Sequence, residues 1–271
     1  MEFLNRIFRN ILLERNKINL IKAIKNKDLN KVKNLVENLH TPVNFRDQHG
    51  HAPIIYAITS KNILEYLINA GADVNCKIWP GDTVLTLAVR TSNLEIVKLV
   101  VNSGADITIT RSGENLLYLA IINNNLDIVK FIIDSGIDID HHGPYSKPIL
   151  MTTVRIGNLN MLEYLIKNGA NINVQSLYGE TALFEAIYIN ELHIVKLLVK
   201  YGSNINLQND NGWTPLMFAI NLGYLNIAKY LINIKADVNL KNNNGWTALM
   251  YATERGYLDL VKILIRSGAK N

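Results

Sequence analysis

Residues 209–233 read NDNGWTPLMFAINLGYLNIAKYLIN and residues 242–266 read NNNGWTALMYATERGYLDLVKILIR, nearly the same stretch written twice, 33 residues apart. A period of this length restricts the chain to an array, because a unit of that size cannot bury its apolar faces without a neighbour. With Gly212 as origin, Gly50, Gly81, Gly113, Ser146, Gly179, Gly212 and Gly245 hold the same place, at intervals of 31, 32, 33, 33, 33 and 33. Seven residues beyond each stands a small residue: Ala57, Ala88, Ala120, Thr153, Ala186, Ala219 and Ala252. An aliphatic run follows, and the unit closes at Gly71, Gly104, Gly136, Gly169, Gly202, Lys235 and Gly268.

The physics of one unit is legible in its residues. Thr214-Pro215 suits a helix entry, where proline's missing N–H is not needed. Ala219 allows close approach to a neighbouring helix, Gly223 ends the first helix, and 225–233 form a second, antiparallel one. The closing glycine fits a left-handed position after the second helix. The Asn-, Asp- and Gly-rich connector, with DVN or NIN asparagines such as Asn75, Asn173, Asn206 and Asn239, is turn chemistry and reads as a hairpin finger.

The run TPLMFA at 214–219, with weaker versions TVLTLA, TALFEA and TALMYA, resembles the signature of the ankyrin repeat family. The resemblance covers 47–271, with seven repeats starting near 47, 78, 110, 143, 176, 209 and 242, after an N-terminal segment 1–46. It implies an all-α architecture, an α-solenoid of stacked helix-turn-helix repeats with short β-hairpin fingers. It also implies a protein-protein interaction scaffold that binds along a concave face. The family's histidine is absent: its place holds Ile55, Thr86, Tyr118, Met151, Phe184, Met217 and Met250, so a local Thr–His hydrogen bond is expected to be missing from every repeat. The first repeat lacks two residues between its helices, which predicts a tighter connection there. Heavy Asn, Ile and Lys usage resembles arrays from AT-rich genomes, including giant viruses and host-associated bacteria, and by analogy suggests a host-interaction factor.

Charge and composition remove other classes. Of the net +5, +6 resides in residues 1–33, with nine basic and three acidic side chains, and the rest of the chain is at −1. The high overall basicity therefore describes the N-terminal segment and not the repeats, a nucleic-acid-binding reading of the whole chain loses most of its support, and no nucleic-acid partner is expected. Cys76 is the only cysteine, which excludes an intrachain disulfide and leans towards a reducing, cytoplasmic location. No apolar run approaches the roughly 20 residues of a membrane-spanning helix, and 1–20 do not read as a secretory signal. The histidines 40, 49, 51, 141, 142 and 193 have no carboxylate or cysteine at ligand spacing, so no metal is expected. Nucleophile elbows, phosphate loops and dinucleotide fingerprints are absent, which points to a non-enzyme without cofactor or catalytic residues.

The two ends raise separate expectations. Residues 23–39 look like a degenerate capping repeat. Before them Phe3, Leu4, Ile7, Phe8, Ile11 and Leu12 fall at helical spacing, opposite Arg6, Arg9 and Arg15. This reads as a helix closing the first repeat; the alternative is a basic amphipathic anchor for a membrane surface. At the other end, Leu260, Val261, Ile263, Leu264 and Ile265 are as apolar as an internal repeat, so the chain reads as a monomer in which self-association through this end is the competing idea.

The resemblance places binding on the fingers and the exposed side of each first helix. Those positions carry Trp79, Arg90, Arg111, Ile122, Tyr145, Arg155, Ile156, Tyr178, Tyr188, Ile189, Trp213, Leu222, Trp246 and Arg255. Ile156, Ile189 and Leu222 recur every 33 residues and predict an apolar line, flanked by Tyr and Arg, the residue types that most often anchor interfaces.

Overall fold

The computed structural model describes residues 2–78, 81–108, 114–140 and 142–270, and of Glu2, Phe3 and Tyr145 the backbone only. The described residues form sixteen α-helices joined by turns and short fingers, and the chain forms two compact units, 1–137 and 138–271.

The N-terminal unit opens with α1 (Glu2–Lys25) and α2 (Leu29–Lys33), the latter running on into a π-helical turn over Asn34–Asn38. Asp28 caps α2 by accepting the Lys31 N–H. Three helix pairs follow: α3 (Pro53–Tyr56) with α4 (Lys61–Asn69), α5 (Val84–Arg90) with α6 (Leu94–Asn102), and α7 (Leu116–Ile122) with α8 (Leu126–Asp134). First helices pack on first helices, α3 on α5 on α7, and second on second, α4 on α6 on α8. The connection in the first repeat is not the tighter one expected, spanning 57–60 where the next repeat has 91–93; the two missing residues are taken instead from α3, a single turn of four residues.

The C-terminal unit repeats this plan with α9 (Ile149–Ile156) and α10 (Leu159–Lys167), α11 (Ala182–Tyr188) and α12 (Leu192–Lys200), α13 (Pro215–Asn221) and α14 (Leu225–Asn233), and α15 (Ala248–Glu254) and α16 (Leu258–Arg266). The second helices α10, α12 and α14 bury two adjacent residues and one a turn later: Met161, Leu162 and Leu165, then Ile194, Val195 and Leu198, then Ile227, Ala228 and Leu231. Each such aliphatic chain taken from water is worth ~1.5–3 kcal/mol. The conserved-size position of the first helices, Ala186, Ala219 and Ala252, is fully buried between helices. In α16, Leu260 and Leu264 are inside the core, Val261 and Ile263 are half-buried, and only Ile265 of that run is exposed.

Helix entries follow the capping chemistry read from Thr-Pro. Thr214 accepts the Met217 N–H and Thr247 that of Met250. In the second repeat the missing histidine is replaced: Thr86 and Thr83 exchange hydrogen bonds at 2.8 and 3.2 Å, so a local side-chain bond is kept where the sequence suggested its loss.

The fingers are one-rung hairpins. Asn209 N–H donates to the Trp213 carbonyl while Gly212 N–H donates back to Asn209, and the same pair recurs at Asn242/Trp246/Gly245 and Ser176/Glu180/Gly179. Isolated antiparallel bridges join Lys77 to Thr83 and His142 to Pro148. Neighbouring fingers are tied to each other by Asp210 N–H to the Tyr178 carbonyl and Asn243 N–H to that of Asn211. Beneath them runs an asparagine ladder. Asn173 accepts the Asn204 N–H at 2.7 Å, Asn206 that of Asp237 at 2.8 Å, and Asn239 that of Lys270 at 2.8 Å. Asn44 and Asn75 do the same in the N-terminal unit and also donate to the Gly71 and Gly104 carbonyls.

Candidate functional site

In the C-terminal unit, the finger at 176–180 and the exposed ends of α9 and α11 enclose a pocket of about 310 Å³. Its aromatic walls are Tyr178, Phe184, Tyr188 and Phe218, with Met151 and Leu177 beside them, and its polar lining is Lys147, Arg155, Ser176, Glu180 and Glu185. Phe184 and Phe218 lie 5.5 Å apart, ring centroid to centroid, across adjacent repeats. Around the mouth, Leu177, Tyr178 and Tyr188 are 65%, 73% and 58% exposed, a concentration of apolar surface that a folded chain rarely leaves in one place without use.

The charged group beneath is ordered. Glu185, on α11, is only 5% exposed. Its Oε1 accepts from Arg155 Nε at 2.6 Å and its Oε2 from Lys147 Nζ at 2.8 Å. A buried carboxylate is tolerated only when paired in this way. Glu180 is half-buried, and its pKa is raised, first by burial and then by the charge of Glu185, with Lys147 offsetting part.

The residues expected from sequence divide into groups. Arg155, Tyr178 and Tyr188 come together at this pocket. Ile156, Ile189 and Leu222 are half-buried, not an exposed line. Each sits at the C-terminal end of its first helix, where the chain turns in towards the second, and the outward residue is the one before, Arg155 or Tyr188. Trp213 and Trp246 are half-buried and stack on Tyr251 with centroids at 4.6 and 5.0 Å, so much of their surface is spent within the stack. Arg255 reaches Asn221 Oδ1 at 2.6 Å. In the N-terminal unit Arg90 pairs with Glu114 at 3.1 Å and with Asp82 at 3.7 Å, while Ile122 is exposed at the end of α7. Trp79, Arg111 and the Tyr145 side chain lie outside the described residues, as does His141.

Sequence reasoning passed over Lys147, Glu180, Glu185, Phe184 and Phe218. A signal was present: six residues beyond each repeat origin stand Tyr56, Leu87, Leu119, Thr152, Glu185, Phe218 and Tyr251, and only Glu185 is charged. Among the described residues no group of three His, Cys, Asp or Glu side chains could hold a metal ion. Cys76 is buried, and its thiol is pushed up to about 11, chiefly by burial and then by Asp73, which makes it a poor nucleophile.

This stack of paired helices, short fingers and an asparagine ladder is one that known proteins share. The chain matches the family of ankyrin repeats in three overlapping segments, 76–143, 141–209 and 184–271, and a further single ankyrin repeat at 49–78. It belongs to the ankyrin repeat family. An ankyrin repeat protein of Acanthamoeba polyphaga mimivirus is 40% identical over 81 residues, 29% of this chain and 11% of that protein, so the chain matches about a ninth of this relative's length. The crystal structure of an ankyrin repeat domain from Acinetobacter baumannii superimposes with a TM-score of 0.64 at 29% identity, covering 69% of this chain and 98% of that one. Arrays of this family are in general protein-protein interaction modules.

Proposed function

We propose that the chain is a non-catalytic adaptor that binds a partner protein through the face of its C-terminal unit formed by Tyr178, Tyr188 and Arg155. The observation that carries this reading is the exposure of Leu177, Tyr178 and Tyr188 around one pocket floored by a fixed ion-pair cluster. Rigid aromatic and arginine side chains in one patch are what interface hot spots are made of. Trp213, Trp246 and Arg255 in the C-terminal unit, and Arg90 and Ile122 in the N-terminal unit, are further candidates for contact with a partner, each considered within its own unit. The host-interaction role and cytoplasmic location expected from the residue usage and the lone cysteine are carried here as part of the same proposal, beside a partial likeness to an ankyrin repeat protein of a virus. Replacing Tyr178 and Tyr188 together by serine tests the reading. The variant should keep its circular dichroism and melting temperature and lose its partner; retention of the partner would remove this surface from consideration.

A second reading rests on α1, whose Leu4, Phe8, Ile11 and Leu12 are exposed. From Asn16 onward the helix is anchored, with Leu20, Ala23 and Ile24 in the core against α2 and α3, so the apolar turns before it are unspent. That arrangement supports peripheral attachment to an anionic membrane surface. One feature weakens it. Arg15, seven residues after Phe8 and four after Ile11, falls within the apolar stripe and not opposite it. No described helix is long and apolar enough to cross a membrane. Co-sedimentation with anionic vesicles, with and without residues 1–15, decides it: equal sedimentation of both forms rejects the anchor.

A further inference from the structure

Glu180 and Arg155 occupy the same repeat positions as Glu114 and Arg90. Each glutamate stands one residue beyond its repeat origin, and each arginine nine beyond the origin of the repeat before. In the N-terminal unit the two close on each other, Arg90 to Glu114 at 3.1 Å. In the C-terminal unit they do not. Arg155 is diverted to Glu185 Oε1 and Lys147 takes the other oxygen, so both nearby cations converge on one buried carboxylate. Among the described residues no lysine or arginine nitrogen is left within ion-pair distance of Glu180.

Glu180 is thus a half-buried carboxylate without a contacting counter-ion, in a pocket walled by Tyr178, Phe184, Tyr188 and Phe218. Burying such a group alone is unfavourable. A guest cation reverses this, since it gains a charge-assisted hydrogen bond and can lie against the exposed rings of Tyr178 and Tyr188. The raised pKa of Glu180 points the same way: beyond the effect of burial, the negative charge of Glu185 outweighs the positive charge of Lys147 there. At about 310 Å³ the pocket is at the small end of ligand sites, which run to about 1,000 Å³, and suits one side chain better than a cofactor.

We propose that this pocket receives a lysine or arginine side chain of the partner protein, its charge on the Glu180 carboxylate and its alkyl stem against Tyr178 and Tyr188. This rests on the binding surface proposed above and names the chemistry of its partner. An acidic side chain drawn to the exposed part of the Arg155 guanidinium is the competing occupant.

The test is a titration of the full, isotope-labelled chain with n-butylammonium, n-butylguanidinium, butyrate and n-butanol, followed by NMR at Glu180, Phe184 and Tyr188. The two cations are expected to shift these resonances saturably, with butyrate and n-butanol at least fivefold weaker. Glu180→Gln should weaken the cations at least fivefold and leave the rest of the spectrum in place. The stronger of the two cations assigns arginine or lysine. Preference for butyrate, equal binding of n-butanol, cation binding that survives Glu180→Gln, or no saturable response to any probe overturns the proposal. Partner binding lost on Tyr178→Ser/Tyr188→Ser but retained on Glu180→Gln would leave the surface standing without the cation pocket.

Discussion

Arg155 donates from Nε to Glu185 Oε1 at 2.6 Å while Lys147 holds Oε2 at 2.8 Å, so one buried carboxylate on α11 fastens both the α9 end and the preceding finger. The cluster has redundancy. Lys147→Met or Arg155→Met alone leaves Glu185 with one cation and should cost about 1 kcal/mol, as for partly exposed pairs. The double substitution strands the carboxylate and should cost ~3 kcal/mol or more, beyond the sum of the singles. Urea unfolding of the three variants measures this; strict additivity would show that the two cations act separately.

Glu180 makes a prediction of opposite sign. Its folded-state pKa is raised, so folding disfavours the ionised form, and stability falls as pH rises from the ordinary carboxylate range, ~4, through the folded value. Glu180→Gln should therefore raise the melting temperature at pH 7 to 8, with the gain vanishing near pH 4. A gain that persists unchanged at pH 4 would place its cause elsewhere.

Gly212 and Gly245 share a repeat position and a φ near +75° but differ in surroundings. A Cβ on Gly212 would lie 2.5 Å from Asn243 Oδ1 and 2.7 Å from its backbone nitrogen, whereas Gly245 has nothing within 4 Å. Alanine at Gly245 pays only for the left-handed backbone, roughly 1–2 kcal/mol. Gly212→Ala must also push the neighbouring finger away and lose the Asn243–Asn211 bond, adding about 1 kcal/mol. Equal losses in thermal unfolding would refute the finger-to-finger contact.

Lys235 stands where other repeats close with glycine and adopts φ +69°, conformationally strained for a side-chain-bearing residue. Lys235→Gly should stabilise the chain by about 0.5–1 kcal/mol, the strain relieved less the greater freedom of glycine when unfolded. A destabilised variant would mean the lysine side chain contributes more than its backbone costs.

The repeats were legible because their signals are local and recur. A threonine cap, a buried alanine and a left-handed glycine each act within one unit, and seven copies average out the exceptions at Ser146, Thr153 and Lys235. The fate of an exposed position was harder to read. Ile156 and Arg155 are adjacent in sequence, and which of them points outward depends on where α9 ends, a matter of one residue. The ion-pair cluster was missed for another reason. Lys147 and Glu185 are 38 residues apart, so their contact spans a repeat boundary with a five-residue offset that the 33-residue period does not reveal. Only the oddity of a charge at the Glu185 position marked it.

The proposed binding surface at Tyr178 and Tyr188 should meet the partner protein directly. The most direct measurement places a photo-cross-linkable benzoylphenylalanine at Tyr178 or at Tyr188 in the full chain, with Leu258, 70% exposed on α16, as the control position. After irradiation in lysate of the cell in which the chain naturally acts, positions 178 and 188 should yield the same protein adduct, and 258 should not. Adducts equal at all three positions, or none at 178 and 188, would show that this surface is not where a partner binds.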